Sequence, residues 1–338
     1  MGIFDWLFGI RKLPAAKIPA FGDTVAVEKN KDFGETFDIG SGFTMHSRDV
    51  YGPSSTSPNG QYMIICKDSS GNTGGHRNSG KGKFFLLDGK KVVFTGRLER
   101  PNGGKIANNG NATVEDWGFG SDLKGTFIAV DINGKQLIKR DFKANILNNG
   151  ISPDGRFAAC QTANSPGSPD NSILAIFDLT QRKEIGAFSA ESGWGDDYEF
   201  PGDDTIVLIH RNLGKFRYKI SGEFIDRALW QQTILDKAEV RALYLIKDML
   251  KEEDKNISPA RASMFIDHLD NILKNLLPTD TTFRASTFRQ KGEVLESQNQ
   301  LTEALSCYDQ ALSFDPKVGI KRHADALRKK LSAQGKQK

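Results

Sequence analysis

The chain has 338 residues, of which 38% are hydrophobic and 34 are glycine, with a formal net charge of +4. That length suits two domains of ordinary size, and many glycines between short apolar runs suggest β-structure with tight turns. Residues 317–338 hold eight Lys/Arg against one acid, Asp325, so the remainder carries a net −3 and no nucleic-acid partner is expected.

The first residues hold a compact apolar group: Ile3, Phe4, Trp6, Leu7, Phe8 and Ile10. Asp5 breaks the run, and Arg11 and Lys12 follow it, the reverse of a secretory signal. Trp6 also stands where a myristoylation pattern wants Ser or Thr. Residues 1–20 read as an amphipathic helix that packs on its own domain, or that docks on a partner or a membrane surface through residues 3–10 with Trp6 as anchor. No apolar stretch is long enough for a transmembrane helix. Cys66, Cys160 and Cys307 are widely spaced and odd in number, which argues against a disulfide framework and for a reducing compartment. A cytoplasmic, bacterial protein with small buried cysteines is the expectation.

From residue 50 to 225 the sequence repeats itself. Four runs, starting at Phe84, Phe127, Leu174 and Phe216, each read as strand, short polar turn and second strand, at spacings of 43, 47 and 42 residues. A second element precedes the hairpins. Ser57-Pro-Asn-Gly60 leads into Gln61–Cys66, Ser152-Pro-Asp-Gly155 into Arg156–Cys160, and Pro201-Gly-Asp-Asp204 into Thr205–His210. Proline fixes the first turn position, and Asn/Asp-Gly supplies positive φ after it. In the irregular second repeat, Asn108-Asn-Gly110 echoes Asn148-Asn-Gly150 of the third.

A strand, this turn, a second strand and a hairpin make four strands per 42–47 residues. The pattern resembles a blade of a β-propeller of the WD40 or YVTN type, in divergent form, since the Gly-His and Trp-Asp dipeptides of true WD40 blades are missing. The resemblance implies a small propeller-like domain over residues 21–225 with four to five blades. The strand-like pieces Val25–Val27, Thr36–Ile39 and Phe43–Met45 would supply a fifth blade or complete the last one. A ring closed by a homodimer and an antiparallel sandwich are the other arrangements open at this point.

Glycine nearly disappears near residue 226, and helical spacing begins. Helices are expected at 235–253 and 258–276, the second with Ser258 as N-cap, Pro259 at its first position and Pro278 after its end. Residues 285–318 resemble one tetratricopeptide (TPR) repeat, a hairpin of two helices. Phe288, Gly292, Leu295, Ala304, Tyr308 and Ala311 match its packing positions, and Asp315-Pro316 ends it; Lys291 and Asn299 depart from the usual Leu and Gly. Residues 318–331 would cap the array. The fold class is therefore multidomain β + α, a propeller-like domain followed by a TPR-like array at 226–333.

Gly75–Gly82 fits a phosphate-binding loop except at its last position, where Gly82 replaces Ser/Thr and a strand follows instead of a helix. The five histidines have no metal spacing, and no nucleophile-elbow motif is present. No catalytic, cofactor or metal residue is assigned. The resemblances imply a non-enzymatic adaptor that binds protein or peptide partners, by a TPR groove with Arg289, Glu293 and Glu296 and by a propeller face with Trp194, Asp196, Asp197 and Tyr198. Glu293 stands where a carboxylate-clamp TPR has Asn, so capture of an acidic C-terminus is not implied. The rivals are a hydrolase or lyase with a site at the ring centre, and a membrane-surface subunit.

Overall fold

The structure, a computed structural model, describes residues 37–40, 43–47, 50–68, 78–119, 123–253 and 257–335. The N-terminal segment with Trp6 and the strand-like piece Val25–Val27 lie outside them. The chain divides into two units, Met1–Asp226 and Arg227–Lys338. The first is built of strands and the second of helices.

Among the described residues, four antiparallel sheets follow one another along the strand unit, each a meander in sequence order. The first holds β3 (Val50–Thr56), β4 (Tyr62–Lys67), β5 (Gly82–Asp88) and β6 (Lys91–Leu98). The second holds β7 (Pro101–Ile106), β8 (Ala112–Asp116), β9 (Gly125–Val130) and β10 (Gln136–Phe142). The third holds β11 (Ile146–Ile151), β12 (Phe157–Thr162), β13 (Leu174–Asp178) and β14 (Lys183–Phe188), and the fourth β15 (Asp197–Gly202), β16 (Thr205–His210) and β17 (Gly214–Lys219). β1 (Phe37–Gly40) and β2 (Phe43–Ser47) pair onto β3. They thus widen the first sheet and neither build a separate sheet nor complete the fourth. In the fourth repeat, the second arm of the expected hairpin is reduced to one bridge, Tyr218 to Phe224, because the chain turns into a helix at Arg227.

The turn signal folds as its residues dictate. Gly60, Gly110 and Gly155 have φ of 75°, 82° and 73°. Their N–H groups donate to Ser57, Ala107 and Ser152 at 2.8, 3.0 and 2.9 Å. The Ser57 and Ser152 hydroxyls accept from the Tyr62 and Phe157 N–H groups, both at 2.9 Å. Asn108-Asn109-Gly110 occupies this turn in the second sheet, whereas Asn148-Asn149-Gly150 lies within β11. The sequence echo between them is therefore not a structural equivalence: local turn bonds fix the first, and side-chain partners on neighbouring sheets hold the second.

Alternation along each strand sends apolar residues to both faces, and consecutive sheets meet face to face. Ile64, Cys66, Phe84 and Leu86 of the first sheet pack with Ala112, Val114, Ile128 and Val130 of the second. Phe127 and Ala129, on the second sheet's other face, meet Ala158, Cys160 and Phe177 of the third, with Phe127 and Phe177 stacked at 4.8 Å. Phe157 and Phe200 join the third sheet to the fourth at 6.0 Å. First strands β3, β7, β11 and β15 are neighbours in turn.

The helical unit comprises, among the described residues, α1 (Arg227–Lys237), α2 (Val240–Glu252), α3 (Pro259–Asn275), α4 (Thr281–Ser297), α5 (Leu301–Phe314) and α6 (Lys321–Gly335). The helix expected at 235–253 begins later, at Val240, because Ala238 takes a left-handed φ of 48° and ends the preceding helix. Ser258 caps α3 through the Arg261 N–H, with Pro259 at the first position. α4 and α5 form a hairpin in which a Cβ on Gly292 would lie 2.4 Å from the Tyr308 ring, so only glycine permits this approach. Asn299, where the TPR pattern prefers Gly, takes a φ of 59° that Asn tolerates better than most residues. Tyr308, Ala304, Ala311, Ala324 and Leu327 form the buried seam of α5 and α6.

Candidate interaction site

Each sheet has two rims. One carries the tight turns after the first strand; the other carries the longer connections and the passages between sheets. On the turn rim the sheets are laced together. The Asn59 N–H donates to Asn108 Oδ1 at 2.8 Å, the Asn108 N–H to the Pro153 carbonyl at 2.9 Å, and Arg156 pairs with Asp203 at 2.7 and 3.1 Å. The turns of all four sheets therefore share one face, and the longer connections share the opposite one, the loop rim.

Among the described residues, the loop rim carries four exposed large apolar side chains: Trp117 at 36%, Leu123 at 51%, Leu147 at 42% and Trp194 at 42%. Trp117 follows the end of β8 and Trp194 precedes β15. Each indole is anchored by its nitrogen, Trp117 Nε1 donating to Glu115 Oε2 at 3.2 Å and Trp194 Nε1 to the Thr162 carbonyl at 3.0 Å. Arg100 lies 5.7 Å from the Trp117 ring and pairs with buried Asp68 at 3.3 Å. The rings are thus held in place while part of each apolar surface faces outward, the usual character of aromatic anchors at interfaces.

Beneath the rim runs a polar seam. On β11, Asn149 turns to the second sheet, donating to Glu115 and accepting from the Thr113 hydroxyl at 2.5 Å. Asn148 turns the other way, donating to the Gly195 carbonyl at 2.5 Å. The Tyr198 hydroxyl lies between Asn148 Oδ1 and Gln161 Oε1, the latter at 2.7 Å, and the Gly195 N–H donates to Gln161 at 2.8 Å. Burial pushes the Glu115 carboxyl above its ordinary range, and the Asn149 and Trp117 donors only partly offset this. Burial also raises the Tyr198 phenol and the Cys66 and Cys160 thiols.

The four residues expected on a propeller face separate in kind. Trp194 is exposed; Asp196 accepts from the Arg211 N–H at 2.7 Å; Asp197 opens β15 and accepts from the Tyr198 N–H at 2.9 Å. Tyr198 is 7% exposed, and a Cβ on Gly150 would lie 2.5 Å from its ring. It is a wedge between sheets and not a surface residue. In the helical unit, Arg289 bonds Glu293 at 2.9 Å and the Val318 carbonyl at 2.8 Å, and Glu296 meets the Tyr308 hydroxyl at 2.7 Å and His323 at 2.6 Å. Glu293 is the more open member of the three, while Arg289 and Glu296 tie α4 to the segments after it.

Sequence reasoning did not single out Glu115, Arg100, Asn148 or Asn149 as a connected set; β8, with Thr113, Glu115 and Asp116 among its five residues, gave no sign that its acids are buried. Nor did it pair Ser192 with His210, which lie 3.0 Å apart. Both are buried, and His210 lies against Phe216. Among the described residues, no group of three His, Cys, Asp or Glu side chains is placed to hold a metal ion.

A groove of about 780 Å³ opens on the loop rim between the first and second sheets, lined by Lys81, Arg97, Lys124 and Lys139 with Phe119 and Phe142. Lys81 comes from the phosphate-loop-like stretch, whose Gly82 begins β5.

No family model and no curated protein matches the chain. Among solved structures, the C-terminal WD40 domain of Sif2 is 11% identical with a TM-score of 0.35, over 59% of this chain and 50% of that one. The structure of U3-55K is 8% identical with a TM-score of 0.33, over 50% of this chain and 46% of that one. This chain spans about half the length of each.

Proposed function

We propose that this protein is a non-enzymatic protein-interaction scaffold in which the strand unit is a WD40-like propeller and the helical unit a TPR-like array. The observation that carries the reading is the loop rim, where two indoles and two leucines are exposed on one face over sheets locked by buried polar side chains. Exposed apolar side chains gathered on one face mark interaction surfaces more often than scattered ones do. The odd number and wide spacing of the three cysteines in the sequence suit a reducing, cytoplasmic setting. Affinity capture from native lysate, followed by cross-linking to locate the contact, tests this. The full chain should retain a protein partner cross-linked at the loop rim, and Trp194→Ala combined with Leu147→Asp should lose it. Reproducible failure to retain any protein, or retention unchanged by the double variant, would overturn the rim as the binding face.

A further inference from the structure

The groove between the first two sheets has a composition that sheet packing does not explain. Its cations come from four separate places: Lys81 before β5, Arg97 near the end of β6, Lys124 before β9 and Lys139 within β10. Lys81, Lys124 and Lys139 have no ion-pair partner among the described residues. Of the three carboxylates in the lining, Glu99 is exposed just after β6, and Asp116 is turned inward onto the N–H groups of Glu99, Arg100 and Gly118 at 3.1, 2.6 and 3.3 Å. Asp141 accepts from the Thr126 hydroxyl at 2.6 Å. The groove therefore offers three lysines without ion pairs among the described residues, against the exposed carboxylates Glu99 and Asp141, around an apolar patch, Phe119 and Phe142.

Its walls are also sheet edges. β6 ends the first sheet and β10 ends the second. An edge strand offers main-chain donors and acceptors to an extended segment laid beside it, and alternate side chains of that segment then face the groove. Lysines spread over three separate segments match a row of carboxylates on an extended chain better than one compact anion.

We propose that this groove binds an extended acidic peptide segment of a protein partner, with carboxylates at Lys81, Lys124 and Lys139 and an apolar side chain on Phe119 and Phe142. The proposal rests on the scaffold reading and specifies one of its contacts.

The test uses the full chain and fluorescence anisotropy with a labelled synthetic peptide alternating Glu and Leu around a central Phe. The peptide should bind, and binding should weaken as salt rises. The same peptide with Lys for Glu should not bind. Lys124→Glu with Lys139→Glu should weaken binding by about tenfold or more, and the Ala pair by less, both with an unchanged melting midpoint. Binding unaffected by either pair, equal binding of the Lys peptide, or inorganic triphosphate binding in place of the peptide would overturn the proposal. The two readings fail separately. A captured partner retained by the Lys124→Glu/Lys139→Glu chain, with no acidic peptide bound, sinks the groove and leaves the scaffold. Groove-dependent peptide binding with no partner captured by any form sinks the scaffold reading and supports the groove's ligand class.

Discussion

In the strand unit, neighbouring sheets meet through apolar faces and, beneath the loop rim, also through amide and carboxyl side chains that reach across: Asn149 to Glu115, and Asn148 and Gln161 to Tyr198 and Gly195. In the helical unit, neighbouring helices meet through a small–large apolar seam, Gly292 and Ala304 around Tyr308, and the ion pairs stay at its surface. A buried polar contact is worth little net when complete and costs much when one partner is removed. A packed apolar contact loses stability in proportion to the volume removed. The two units should therefore break in different ways, and substitutions can tell them apart.

The largest effect is expected at Tyr308, fully buried between α4 and α5. Tyr308→Ala should cost about 4 kcal/mol through the cavity it leaves. Tyr308→Phe keeps the ring and loses only the bond to Glu296, about 1 kcal/mol. Chemical unfolding followed by helical circular dichroism measures both. A Phe variant as damaged as the Ala one would mean that the hydrogen bond, not the packing, holds this hairpin.

Next comes Asn149→Ala. It removes a donor from a buried carboxyl and the acceptor for Thr113, and should cost about 3 kcal/mol. Hydrogen exchange should quicken in β8 and β11 and stay unchanged in α4 and α5. Unchanged exchange in β8 would remove the seam from any account of sheet-to-sheet cohesion.

The seam also predicts a pH dependence that the helical packing does not. Glu115 has its folded-state pKa raised above an ordinary 4.5, first by burial. The folded chain therefore binds more protons at this site than the unfolded one between those two values. Its contribution to stability falls as pH rises from about 4.5 through the folded value, and is complete only below that window. Glu115→Gln cannot titrate, so the stability difference between variant and native chain should move in favour of the variant as pH rises. A difference that stays constant with pH would mean that the carboxyl is not desolvated. Asp226, held low by Arg217, has the opposite sign and is common to both chains, so it cancels.

How far the sequence reveals these units follows from the range of the forces involved. The turns at Ser57–Gly60 and Ser152–Gly155 were legible because the bonds that close them span five residues or fewer. The hairpin of α4 and α5 was legible for the same reason, its small–large pattern spanning neighbouring helices. The break at Ala238 was not, since alanine gives no signal for a left-handed turn. Asn108–Gly110 and Asn148–Gly150 look alike, but one is fixed locally and the other by Glu115 and Tyr198, 34 and 50 residues away. The candidate site is less legible than the fold for that reason. Trp194 could be picked out as a prominent residue, but its place on one rim with Trp117, Leu123 and Leu147 depends on the order in which the sheets stack.

The smallest expected effect separates structure from recognition at Arg289. Its pair with Glu293 is exposed on both sides and contributes about 0.5 kcal/mol or less. Its second bond, to the Val318 carbonyl, fastens α4 to the connection before α6 and is worth about 1 kcal/mol. Arg289→Ala should therefore lower helical stability by about 1 kcal/mol and quicken exchange at residues 315–320, and Arg289→Lys should recover only part of it, because an ammonium lacks the fork that reaches both acceptors. If partner capture survives Arg289→Ala while exchange quickens, Arg289 is a strut of the array. If capture is lost with exchange unchanged, the same residue belongs to the partner, and the helical unit, like the loop rim, presents its anchors ready-made.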